Sequence, residues 1–106
     1  MDIKEIEKYV GKVVKIQLNN YGADVECVGS IVETYNGVGV TIGHPVINNE
    51  SCCGKSYRMA NDIISINNIS ESEFENWKQK YHQFHREIIA EKGYDSCEEK
   101  VESYAI

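Results

Sequence analysis

The sequence predicts a mainly β domain with flanking helices: a small, strongly bent five-stranded barrel, preceded by a short helix and followed by a longer one. Three observations carry this. Apolar residues between Val13 and Ile66 recur with a period of two, in short runs separated by turn residues. Gly29 interrupts the longest of these runs, where a barrel strand must bend. After Asn68 the apolar spacing changes to three and four, the repeat of a helix.

The elements follow in order. Ile3, Ile6, Tyr9 and Val10 fall at helical spacing among Lys4, Glu5, Glu7 and Lys8, with Asp2 placed to cap the first turn and Gly11 to end the last. From Lys12 to Leu18 the period shortens: Val14, Ile16 and Leu18 alternate with Val13, Lys15 and Gln17, as on a half-buried strand. Asn19-Asn20-Tyr21-Gly22 is turn chemistry, and Val25 to Tyr35 is a long β run. Asn36-Gly37 signals a hairpin, after which Val38, Val40 and Ile42 alternate with Gly39, Thr41 and Gly43. His44 to Lys55, with the only proline, reads as a loop; Ser56 to Met59 and Ile63 to Ile66 read as short strands. Short strands joined by tight turns point to an SH3-like barrel.

Beyond Asn68, Ser70 or Ser72 caps a helix and Glu73 or Glu75 completes a capping box. Phe74, Trp77, Tyr81, Phe84 and Ile88 then form one apolar seam, and Gly93 ends the helix. Asp95 or Ser96 opens a short second helix carrying Val101 and Tyr104. With 106 residues there is room for one core, so residues 1–106 read as a single domain: a barrel in 1–68 and a helical extension in 69–106 packed on it.

Composition narrows the partners. No run approaches the roughly 18 to 20 apolar residues that span a bilayer. Met1-Asp2-Ile3-Lys4-Glu5 lacks the apolar core of a signal peptide, so a cytoplasmic protein without membrane contact is expected. Without an export signal, Cys27, Cys52, Cys53 and Cys97 are expected as reduced thiols. Seventeen acidic and 11 basic side chains give a formal charge of −6. Only Arg58 and Arg86 supply guanidinium groups, which disfavours a surface devoted to phosphate. An acidic surface suits a basic protein partner, or mimics the charge of a nucleic acid.

The short amphipathic helix, then Gly11-Lys12-Val13-Val14-Lys15-Ile16-Gln17-Leu18, then Gly29-Ser30-Ile31-Val32 on a bent strand, resembles the opening of Sm-like proteins over residues 3–68. The resemblance implies a barrel that pairs through edge strands into rings and binds single-stranded RNA. The positions meant to carry RNA depart from the family pattern. Tyr35-Asn36-Gly37-Val38 keeps only an Asn, and Ala60-Asn61-Asp62-Ile63 stands where an Arg-Gly pair belongs.

Candidate chemical sites are sparse. Glu50-Ser51-Cys52-Cys53-Gly54-Lys55-Ser56 ends like a phosphate loop, but Asn49 replaces the first glycine and a strand is expected where a helix N-terminus is needed. His44, Cys52 and Cys53 could contribute zinc ligands, with a fourth from Cys27, Cys97, His82 or His85, yet adjacent cysteines project apart; no metal or other cofactor is called for. His82 and His85 share a helix face with no nucleophile or pocket indicated, so they read as polar edges of a packed helix and no enzyme is expected. The seam with Trp77 and Tyr81 either covers the barrel or anchors a partner. Tyr21, Tyr35 and Tyr57 near turns, together with the loop that begins at His44, form the preferred binding surface.

Two functions fit. One is a non-enzymatic, oligomeric protein-interaction module, for example a small acidic inhibitor of a nucleic-acid enzyme of the kind phages encode. The other is a ring that binds single-stranded RNA or a small nucleotide.

Overall fold

The computed structural model describes residues 1–48, 50–51, 54–94 and 101–106. Helix α1 (Ile3–Glu7) starts at Asp2, whose carboxylate accepts the Lys4 amide at 3.0 Å. It is shorter than the spacing suggests, because the chain leaves the helix at Lys8 and turns through Gly11 at φ +87°.

Strands β1 (Val13–Asn20) and β2 (Ala23–Tyr35) form a hairpin closed by Tyr21-Gly22. Both loop residues have positive φ, +55° and +88°, the geometry whose twist matches that of the strands. Asn36 and Gly37, also at positive φ, return the chain into β3 (Gly39–Ile47). This strand corrects the expected 44–55 loop, because it continues through His44-Pro45. Ser30 pairs with Gly43 and Val28 with Val46, so His44 and Pro45 together face Gly29. Such a bulge admits a proline inside a sheet and holds His44 at φ +47°. Gly29 is required there: a Cβ would lie 2.8 Å from Ile42 Cγ2 and 3.2 Å from the Gly43 oxygen.

The two-residue β4 (Glu50–Ser51) and β5 (Lys55–Met59) both pair with β3, on the edge opposite β2. A 3-10 turn, Ala60–Asp62, leads into β6 (Ile63–Asn68), which returns beside β1. The result is one antiparallel sheet in the order β4-β3-β2-β1-β6, with β5 following β4 along β3. Its hydrogen bonding is open: among the described residues β6 pairs only with β1, and β5 only with β3.

Alternation sorts the side chains onto two faces. Val14, Ile16, Leu18, Cys27, Ile31, Val40 and Ile42 pack with Ile6, Ala60, Ile63 and Ile66 in an inner cluster. Val40 and Ile42 of β3 share this cluster with Ile63 and Ile66 of β6, two strands away on the other side of β2 and β1, so the sheet curls over its own face. The bulge then flips the phase of β3: Val46 points to the other face and Ile47 returns to the inner one. Val13, Val28 and Val46 on the outer face meet Ile69, Phe74, Trp77, Tyr81, Val101 and Tyr104.

Helix α2 (Glu71–Lys92) supplies most of that outer layer. Ser70 and Glu73 make the capping box, and Gly93 at φ +78° ends the helix with its amide on the Ile89 oxygen at 2.8 Å. Its buried residues are Trp77, Tyr81, His85 and Ile88. His85 therefore takes the place expected for Phe84, which is only half-buried; His85 was expected at a polar edge. Val101–Ser103 is a 3-10 turn, and Ala105 exchanges main-chain hydrogen bonds with Gly11 and Val13. The expected helix start at Asp95 or Ser96 lies outside the described residues. Among the described residues no helix is long and apolar enough to cross a membrane.

Candidate interaction surface

The structure divides the expected binding residues into an exposed group and a buried one. Tyr21 sits at the tip of the β1–β2 hairpin with 98% of its surface exposed. A bulky residue in the left-handed region is uncommon, and Gly or Asn would fill that position with less strain. The Asn19 carboxamide oxygen, accepting the Gly22 amide at 2.8 Å, locks the turn that displays the ring.

Tyr57 lies within β5, the strand expected over Ser56–Met59. Residues 55, 57 and 59 alternate outward, leaving Tyr57 66% and Met59 49% exposed. Arg58 points the other way, donating from Nη1 to Asn20 Oδ1 at 2.8 Å and from Nε to Ser56 Oγ at 3.0 Å. It thereby ties β5 to the end of β1, strands that are not neighbours in the sheet. Tyr21 and Asn19 from the hairpin, Tyr57, Arg58 and Met59 from β5, and Asp62 line one open groove of about 470 Å³. Met59, Arg58 and Asp62 were not among the binding residues expected from the sequence. The outward alternation of Lys55, Tyr57 and Met59 was the available signal.

The other expected residues lie elsewhere. Tyr35 is half-buried with its ring beside Gly39, its cross-strand partner, where a Cβ on Gly39 would collide with the Cε2, Cζ and hydroxyl oxygen of the tyrosine. His44 is 1% exposed, Trp77 1% and Tyr81 5%. The Trp77 indole donates to the His44 oxygen at 2.9 Å. Tyr81 packs edge-on against His44 with ring centroids 4.4 Å apart, lies 4.1 Å from the His85 ring and stacks on Trp77 at 6.2 Å. The bulge brings His44 to this side of the sheet. The seam and His44 are thus packing between α2 and the outer face, not part of the groove.

Beside that seam, Glu26, Val28, Val46, Glu73, Asn76 and Trp77 line a second hollow of about 300 Å³. Lys15 bridges to Glu73 at 2.7 Å, and Gln17 donates to Glu26 at 2.8 Å. The hydrogen bond from Lys15, then that from the Ser70 amide, and the Lys15 charge hold the Glu73 carboxyl below its ordinary range, and Glu73 in turn raises Lys15 above its own.

Among the described residues no group of three His, Cys, Asp or Glu side chains is placed to hold a metal ion. Cys52, Cys53 and Cys97 lie outside the described residues, while Cys27 is buried in the inner cluster. After Gly54 the chain enters strand β5, so the segment resembling a phosphate loop lacks the helix N-terminus that such a loop requires. Compared with protein-family models, with curated proteins and with solved structures, the chain has no match.

Proposed function

We propose that this chain is a non-enzymatic protein-interaction module on a small Sm-like or SH3-like barrel, acting in the cytoplasm. A curled sheet filled by its own aliphatic side chains, a bent β2, and a 3-10 link between the last two strands support the barrel reading. The observation that carries the function is Tyr21: a fully displayed ring, held in a backbone conformation that tyrosine adopts only at a cost, beside exposed Tyr57 and Met59. A tyrosine ring offers contact area and a hydroxyl with little conformational entropy to lose. With a charge of −6, an acidic inhibitor of a nucleic-acid enzyme is one form such a module would take.

A second reading rests on the same rings, which suit stacking of unpaired bases. It requires copies joined through the open edges of β5 and β6 into a ring. The net charge and the departures at residues 35–38 and 60–63 favour the first reading. Filter binding of a single-stranded RNA at low and raised salt separates the two. The proposal expects no salt-sensitive retention. Affinity that falls steeply as salt rises would replace it with the second reading.

A further inference from the structure

Two displayed aromatic rings and a carboxylate meet in the groove beside Tyr57. Tyr21 and Asn19 come from the β1–β2 hairpin, Tyr57 and Met59 from β5, and Asp62 from the 3-10 turn that follows. The two rings are the most exposed large hydrophobic groups of the described residues. Asp62 is half-buried and makes no hydrogen bond or ion pair among the described residues. Asp24 stands opposite Asn19 across the hairpin, so its side chain rises from the same face; it is exposed and has no partner among the described residues. Arg58 is the one cation among the residues lining the groove, and its Nε and Nη1 already donate to Ser56 and Asn20. Two carboxylates against one guanidinium leave the groove and its rim negative, in a chain of charge −6.

We infer that this groove receives an arginine side chain of a basic partner protein, its guanidinium against the Tyr21 and Tyr57 rings and paired with Asp62, its methylene stem along Met59. This rests on the protein-interaction reading above. Arginine suits the site better than lysine, because a planar, weakly hydrated cation stacks on a ring and forks onto a carboxylate at once. An acidic peptide or a phosphate would meet Asp24 and Asp62. A second copy is disfavoured by the same charges: two chains of charge −6 repel as they approach, whereas a basic partner is drawn in. A two-fold contact through the groove would also gather the carboxylates of both copies into one interface.

The test selects binders from a displayed library of random linear peptides on the full chain. The selected peptides should carry arginine, bind less tightly as salt rises, and shift the ring resonances of Tyr21 and Tyr57 in NMR. Asp62→Asn should weaken the best peptide about tenfold at low salt, and so should Tyr57→Ala. Replacing the arginine of the peptide by lysine should weaken it on the parent chain. Both protein substitutions lie at exposed or half-exposed side chains, and the lysine peptide keeps the test open if either variant fails to fold. Peptides that bind Asp62→Asn as tightly as the parent, or that shift residues around Glu26 and Trp77 instead, would overturn the site while leaving the interaction reading intact. Binders without a basic residue would overturn the arginine assignment, as would a library that yields no binder. Ring shifts that grow with protein concentration alone would hand the groove to a second copy, and ring shifts on adding an oligouridylate would remove both proposals.

Discussion

The two faces of the sheet are packed by different means. On the inner face Ile16, Leu18, Ile31, Val40 and Ile42 meet one another and α1, and shape and volume alone hold them. On the outer face the contacts are aromatic and directional: Trp77 on the His44 carbonyl, Tyr81 between two imidazoles, and Lys15 on Glu73. The inner face follows from alternation, since every second residue of a strand lands on it. The outer face needs something extra, because α2 docks on a sheet whose phase is shifted at the His44-Pro45 bulge. An aliphatic interior tolerates repacking, whereas a layer held by specific bonds is more sensitive to the loss of one partner.

Trp77→Ala should show the largest effect. It removes the bulkiest buried side chain and leaves the His44 carbonyl without its donor, costing about 3–5 kcal/mol in urea unfolding. A loss below that of Ile16→Ala would mean that the outer layer adds little. Gly29→Ala tests the bulge itself. Its Cβ would press on Ile42 and on the β3 backbone, for about 1–3 kcal/mol. A neutral result would show that the bulge is free to move.

Thr41→Val runs the other way. Thr41 is fully buried, and its hydroxyl has no hydrogen-bond partner among the described residues, so the variant should gain about 1 kcal/mol. A destabilised variant would show that the hydroxyl is satisfied. The smallest effect belongs to the exposed Lys15–Glu73 pair. Glu73 is held below its ordinary range, so its stabilisation is present above that range and lost as pH falls through the folded value. Lys15 is raised, so its share persists below its unfolded value and disappears as pH rises through the folded one. Denaturation midpoints of Lys15→Met, which leaves the capping box in place, and the parent chain should differ near neutrality and converge in acid. A gap constant down to strong acid would contradict the pair's role.

Period and turn chemistry made most of the strands readable. Val14, Ile16 and Leu18 announce the inner face, Asn36-Gly37 the second hairpin, and Ser70 with Glu73 the start of α2. Pro45 misled, since a proline argues against a central strand unless a bulge absorbs it, and that bulge depends on Gly29, 16 residues upstream on another strand. His85 was misjudged for a related reason. A polar residue at a helical seam position is buried only if its surroundings suit it, and here these are Tyr81, one turn back on the same helix, and His44 across the interface. Of the candidate surface, Tyr21 and Tyr57 were visible as tyrosines. Their meeting in one groove depends on how far the sheet curls, which no local pattern encodes.

The claim that Tyr21 is kept for a partner, against the preference of its own turn, is tested most directly by Tyr21→Asn. Asparagine before Gly22 suits a two-residue hairpin loop, so the variant should be more stable by about 1 kcal/mol, a Tm rise of roughly 4 °C, while losing the protein interaction proposed above. A variant that gains stability and binds its partner unchanged would contradict the claim.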